Sequence, residues 1–258
     1  MNVLAVDCSS DVLAVGVARD LGSGDRPAAP KHPFREDGGH GHAPGAGTVT
    51  VTVDAGFRHV ERLMGAVDFC VREAGLEPAD LDLLACASGP GSFTGLRIAM
   101  STVKGMALGL GKPFVAVPTL DAYAADWAGT VPAVVPVLDA KRSRFFFGLY
   151  LGGTLAAGPF DDDASRIVSL VDSFPEVLFT GPDAWLLEQL ASERPGFRIA
   201  AGGRRSPILS LLSLAASRFA AEGPSPADAS PLYLRSSDAE EAAARVSAVG
   251  LASEGGSR

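Results

Sequence analysis

Two stretches of the chain, about 130 residues apart, open in the same way. Val3-Leu4-Ala5-Val6-Asp7 and Val135-Pro136-Val137-Leu138-Asp139 are apolar runs that end in aspartate. Each is followed by a short polar turn and a second apolar run, Val12 to Ala18 in the first case and Phe145 to Leu151 in the second. Short β-prone runs bounded by turn signals read as strands, and a pair joined by a polar turn reads as a hairpin. A repeated hairpin start suggests a duplicated half-domain. The length of 258 residues suits one large domain or two smaller ones.

Further elements follow from periodicity. Residues 48–53, TVTVTV, alternate with period two and predict a half-buried strand. Residues 57–75 carry Val60, Leu63, Met64, Val67, Cys70, Val71 and Ala74 at helical spacing, with charges between them and Gly75 at the end. A strand at 83–88 leads through a glycine loop into a helix at 94–110 and a strand at 114–117. In the second half, strands at 177–180 and 197–200 and helices near 183–191 and 207–222 are expected. This mixture of strands and helices is an α/β pattern. The plan is an N-terminal subdomain at 1–118, a C-terminal subdomain at 119–237 and a tail at 238–258, read as frayed unless a partner orders it. Between Asp20 and Gly47 lie seven Gly, four Pro and three of the four His with almost no apolar periodicity, so 20–47 is expected to be a mobile insertion.

Composition limits function. Apolar content of 47% and charged content of 20% are globular values. A formal charge of −8 opposes the polyanion affinity that a free-standing nucleic-acid binder needs. Cys8, Cys70 and Cys86 form no CxxC pair and are odd in number, as expected of reduced, buried thiols in a cytoplasmic chain. The opening MNVLAVDCSSDVLAVGV has no basic leader and is broken by Asp7 and Asp11, so neither a signal peptide nor a membrane span is expected.

Gly89-Pro90-Gly91-Ser92-Phe93-Thr94-Gly95-Leu96-Arg97 joins a buried strand to a helix, where backbone N–H groups converge and favour an anion. It fits neither the Walker loop, the dinucleotide fingerprint nor the hydrolase elbow. Two readings stay open: a tight turn with a Ser92 or Thr94 cap that lets the helix pack closely, or an anion site. Along that helix Ser101, Gly105 and Gly109 form a stripe of small residues. Each interior Gly costs roughly 1 kcal/mol against Ala, so an offsetting close contact is expected, with the sheet as one place for it. Met100, Val103, Met106, Ala107 and Leu110 leave the helix apolar nearly all round, with room for a partner helix.

The string ASGPGSFTGLRIAMSTVKGMALGLGKPFVAVPTLDAYA, preceded by FRHVERLMGAVDFCVREAGL, resembles the TsaB family, formerly YeaZ. Residues 2–10, VLDAKRSRFFFGLY at 137–150 and PLYLR at 231–235 are similar to the family in the same order. The resemblance implies two RNase H-like subdomains of the actin-like, sugar kinase and Hsp70 (ASKHA) superfamily. It also implies a non-catalytic subunit of the machinery that makes N6-threonylcarbamoyladenosine (t6A) in ANN-decoding tRNAs. The implied partners are the transferase TsaD and the ATPase TsaE, with tRNA engaged only through the complex and a homodimer formed when the chain is alone. No intrinsic cofactor is implied, although ATP or ADP shared at the junction with TsaD is a candidate.

On this reading the helices at 57–75 and 94–110 dock on TsaD, with Leu63, Met64, Val67, Val71, Met100, Val103 and Lys104 as expected interface residues. Nucleotide or anion contacts are assigned to Asp7, Ser9, Ser10, Ser92, Thr94 and Arg97, with Asp7 and Asp139 as either strand-end turn formers or contact remnants. Arg58, Arg62, Arg97 and Lys104 could form a local basic patch in an assembled complex. No metal site is expected: His32, His40 and His42 lie in the insertion, His59 stands alone at a helix start, and no HxxxH pair is present. No catalytic residue is assigned, since no nucleophile, base and orienting group can be named together. The competing reading is an autonomous ATP-dependent kinase or phosphotransferase of the same fold, resting on the two aspartates and the glycine loop.

Overall fold

The computed structural model describes residues 1–22, 47–56, 58–200 and 206–235. Most of the expected insertion and the whole tail at 238–258 lie outside the described residues. The first sheet is built from β1 (Val3–Asp7), β2 (Val12–Ala18), β3 (Thr48–Asp54), β4 (Leu83–Ala87) and β5 (Phe114–Val117) in the order β3-β2-β1-β4-β5. The second is built from β6 (Ala133–Lys141), β7 (Arg144–Leu151), β8 (Thr154–Asp162), β9 (Val177–Thr180) and β10 (Phe197–Ile199) in the order β10-β9-β6-β7-β8. Strand for strand the two orders match. In each half an antiparallel hairpin and a third antiparallel strand lie on one side, with two parallel strands on the other. The duplication read from two hairpin starts therefore extends to whole sheets.

Both faces of the first sheet are covered, which is why β1, β2 and β4 read as unbroken apolar runs. Leu4, Val6, Leu13, Val15, Leu84 and Cys86 face α1 (His59–Glu73) and α2 (Phe93–Leu110). The alternate residues Val3, Ala5, Ala14, Leu83, Ala85 and Ala87 face α6 (Ile208–Glu222). Small residues on that side let α6 lie close, and a Cβ at Gly16 would sit 2.9 Å from Ile208 and 3.0 Å from Leu212. The second sheet packs Phe147, Phe179 and Val135 against α4 (Ala164–Val171) and α5 (Glu188–Ser192). Its other face meets α3 (Thr119–Ala125) through Leu120, Tyr123 and Tyr150.

α6 follows the second sheet in sequence but packs on the first, and polar bonds fasten the halves there. Arg218 of α6 and the Tyr150 hydroxyl of β7 both donate to Asp121 of α3, at 2.7 and 2.6 Å. Ser210 Oγ of α6 likewise donates to Asp126, just after α3. Among the described residues, three strands or α-helices were not expected, namely α3, β8 and α4, together with a 3-10 turn at Pro78–Asp80. The helix expected at 183–191 is a 3-10 turn at Ala184–Leu187 running into the short α5.

Candidate functional site

Between the halves lies a cavity of about 520 Å³. Its walls are the β1–β2 turn, the glycine loop, the β6–β7 hairpin, Trp185 and the segment Leu232–Arg235. The two strand-end aspartates stand at corresponding places beside it and perform the same backbone task. Asp7 Oδ1 accepts from the Ser9 N–H at 2.9 Å, and Asp139 Oδ1 accepts from the Lys141 N–H at 2.7 Å. A carboxylate bonding the N–H two residues on is an Asx turn, which fixes the exit of a strand. Asp7 is fully buried, and its second oxygen accepts from Ser206 Oγ at 2.6 Å, at the entry to α6. Asp139 Oδ2 is held by Lys141 Nζ at 2.9 Å, and the Asp139 N–H donates to Asp183 at 2.8 Å. Both residues form strand-end turns, and Asp7 is buried with one hydrogen bond to each of its oxygens.

The glycine loop is seated on the first of these turns. The Ser92 N–H donates to Ser9 O at 2.7 Å, and Ser92 Oγ caps α2 by accepting from the Gly95 N–H at 3.3 Å. Gly91 lies against Ser9 and Gly95 against the Cys8 carbonyl so closely that a Cβ on either would collide with backbone. Ser9 is 1% exposed beneath Gly91, and its hydroxyl has no hydrogen-bond partner among the described residues. Ser9 also lines the cavity between the halves. Ser10 Oγ accepts from the Val12 N–H at 3.2 Å, while Ser92 and Thr94 are exposed. The loop is a tight turn and cap, with the Ser9 and Cys8 carbonyls lying against Gly91 and Gly95.

Arg97 is also spoken for. Its guanidinium carbon lies 3.7 Å from the Phe93 ring centroid, and its Nε donates to the Tyr233 hydroxyl at 2.9 Å. Lys104 Nζ donates to Ala229 O at 2.9 Å. Of the four basic residues grouped from sequence, Arg97 and Lys104 bind the chain's own C-terminal segment, and Arg62 on α1 and Arg58 just before it are exposed.

The docking face requires the largest correction. Leu63, Val67, Val71, Met100 and Val103 are all buried, at 4% exposure or less, in the core between the helices and the first sheet. Of the expected apolar interface residues Met64 alone is exposed, at 53%. The outer surfaces of α1 and α2, which pack side by side, instead present Val60, Met64, Phe69 and Leu108. Ser101, Gly105 and Gly109 are on that outside too, and a Cβ at either glycine would meet nothing within 4 Å among the described residues. The close contact expected to offset those glycines is not with the sheet. Periodicity identifies which residues share a stripe but not which stripe faces inward.

His59 is buried in the first turn of α1, with Nε2 unpartnered among the described residues. No group of three or more His, Cys, Asp or Glu residues suited to a metal occurs among the described residues, and His32, His40 and His42 lie outside them. No described helix is long and apolar enough to cross a membrane. The three thiols are free and buried. Burial pushes Cys70 and Cys86 up to about 12, Asp7 adding to the effect at Cys86, and the same two causes raise Cys8 further. Since the thiolate is the reacting form, a thiol reagent at pH 8 is expected to label none of the three in minutes and all three after unfolding. Rapid labelling of the folded chain would contradict this placement.

Sequence reading assigned no role to the cleft-side residues Trp185 and Arg235 or to Asp161, which Arg235 binds. Asp161 lies on β8, where burial alone would raise its carboxyl. Hydrogen bonds and charge from Arg235 and Arg144 outweigh burial and hold it below the usual carboxylate range. No local pattern announces this cluster, because Arg235 reaches it from the far end of the chain.

Similarity to known proteins follows the same outline. The profile of the family described as tRNA N6-adenosine threonylcarbamoyltransferase, TsaD, matches residues 51–221. The transferase of that name from Maricaulis maris is 35% identical over 182 residues, covering 66% of this chain and 47% of the transferase, so the chain spans about half that relative's length. The tRNA threonylcarbamoyladenosine biosynthesis protein TsaB of Bacillus subtilis is 32% identical over 140 residues, 52% of this chain and 61% of that one. The crystal structure of an uncharacterized Pseudomonas aeruginosa protein with similarity to the peptidase YeaZ superposes with a TM-score of 0.69 at 25% identity, covering 91% of this chain and 99% of that one. With two sheets of matching topology, a YeaZ-like course over nearly its whole length and the profile match across more than half of it, the chain belongs to the threonylcarbamoyltransferase family, in its TsaB (YeaZ) branch.

Proposed function

We propose that this chain is an accessory subunit in the formation of t6A in tRNA. It docks through the outer faces of α1 and α2 on a TsaD-type transferase and makes no bond itself. A role in t6A formation is supported by the family profile and by the name of the Bacillus subtilis relative. The accessory character rests on one observation: the groups a kinase of this architecture would turn toward a phosphate here hold the chain's own backbone. Asp7, Asp139, Gly91 and Gly95 are all occupied in this way. Meanwhile Val60, Met64, Phe69 and Leu108 stand exposed on two neighbouring helices, leaving apolar surface for a partner to cover. Alone, the same faces pair with a second copy as a two-fold homodimer. Any ATP or ADP is shared at the junction with the transferase and TsaE, and tRNA is met only in the complex, in the cytoplasm.

Purified chain mixed with a TsaD-type transferase is expected to give a heterodimer mass by light scattering, and TsaE with ATP is expected to join it. Absence of any complex under both conditions would sink the docking role. Turnover of ATP or modification of tRNA by the isolated chain would sink the accessory one.

A further inference from the structure

After α6 the chain does not leave the molecule. It runs along the β5 edge, where the Ser225 N–H donates to Phe114 O and Ser225 Oγ accepts from the Ala116 N–H, both at 2.9 Å. It then crosses α2, where Ala229 O receives Lys104, and reaches the end of β4, where the Leu232 N–H donates to Ser88 O at 2.7 Å. A Cβ on Gly89 would lie 2.6 Å from Leu232 O, so the glycine loop is shaped to let this segment pass. The Tyr233 ring stacks on Phe93 with centroids 4.7 Å apart, and its hydroxyl accepts from Arg97. Two residues later Arg235 has crossed to the second half. Its Nε and Nη2 each donate to Asp161 at 2.8 Å, and Nη1 donates to Ala140 O at 3.2 Å.

We infer that residues 225–235 are a strap that couples the opening of the cleft between the halves to the first turns of α2, and so regulates the docking face. The coupling arises because the strap has no slack. The backbone from Tyr233 to Arg235 reaches at most about 7 Å when fully extended, and both ends are gripped. One end holds Phe93 and Arg97 of α2, while the other holds β8 and the β6–β7 hairpin by a bidentate, charge-assisted pair, the strong form of such a bond. Leu232 to Arg235 also form one wall of the cleft, so anything that widens it must release Arg235 or draw Tyr233 off α2. The strap is a separate reading of the free chain, and its bearing on docking rests on the proposed function.

The test is Arg235→Ala, with Arg235→Lys as a partial rescue. Asp161 is left intact because it also holds Arg144. Hydrogen exchange on the isolated chain is expected to show amides in 225–235 and 93–100 exchanging about tenfold faster in Arg235→Ala, with α1 unchanged and an intermediate rate in Arg235→Lys. Faster exchange confined to the neighbourhood of residues 140 and 161, with the strap and α2 still protected, would overturn the coupling. If instead the wild-type chain binds no transferase, the docking role falls while the exchange result still decides the strap. Should Arg235→Ala prove poorly folded, Tyr233→Ala releases the other grip and is expected to speed exchange at 93–100 and at the Arg235 end alike. Protection unchanged at both would overturn the inference.

Discussion

Replacing Gly95 by alanine is expected to cost this chain about 3 kcal/mol or more, while the same replacement at Gly105, ten residues along the same helix, is expected to stabilise it by about 0.5–1 kcal/mol. The sign differs because the surroundings do. At Gly95 the added methyl lands on the Cys8 carbonyl, which belongs to a turn pinned by the Asp7–Ser9 and Ser92–Ser9 bonds and has nowhere to retreat. At Gly105 the methyl enters open space on an exposed helix face and only removes the entropy cost of glycine in a helix. For a chain of this size about 2–4 °C of melting temperature accompanies each kcal/mol, so Gly95→Ala is expected to melt some 6–12 °C lower. Thermal and urea unfolding of the two variants side by side give the measurement. Equal behaviour would mean that the loop is not seated on the β1–β2 turn as described. The stabilised Gly105→Ala chain has a second use, because lost assembly in a better-folded protein would assign the small-residue stripe to a partner.

The glycine loop was legible because its chemistry is local: glycines for close approach, serine for a cap, and aspartate for a turn two residues on. The β1, β2, β4 and β5 runs were legible for a similar reason, since burial on both faces leaves unbroken apolar strings. β8 was not. TLAAGPFDD is an edge strand, half exposed, without alternation and interrupted by Gly-Pro, so neither period nor propensity marks it. The seven-residue α3 and eight-residue α4 are too short for a helical period to stand out, and each is fixed by packing on the second sheet. The strap is the extreme case. Residues 225–235 show no period at all, and anchors such as Asp161 and Arg97 lie 74 and 136 positions away in sequence. Pairings of that kind are settled by the fold and leave no local trace.

The orientation of the two N-terminal helices yields the second large effect. Val67→Asp and Met100→Asp are expected to unfold the chain, because both side chains are within 4% of complete burial against the first sheet. Each would place a carboxylate in an apolar core without a partner, a change costing about 4 kcal/mol or more, against the 5–15 kcal/mol by which domains are stable. Met64→Asp and Leu108→Asp, at 53% and 87% exposure, are expected to leave stability within about 0.5 kcal/mol. If the outer faces dock on the transferase, those same two changes desolvate carboxylates in an apolar contact and are expected to weaken assembly by about a thousandfold, equivalent to some 4 kcal/mol. Circular dichroism and melting separate the inner pair from the outer pair, and light scattering with the transferase tests the outer pair. A folded Met64→Asp/Leu108→Asp double variant that still assembles at wild-type affinity would move the docking surface off these helices altogether. A folded Val67→Asp/Met100→Asp variant would mean that the buried stripe had been assigned to the wrong side. One pair is exposed and the other buried on the same two helices, so a single set of four substitutions tests both the packing of the helices and the location of the partner.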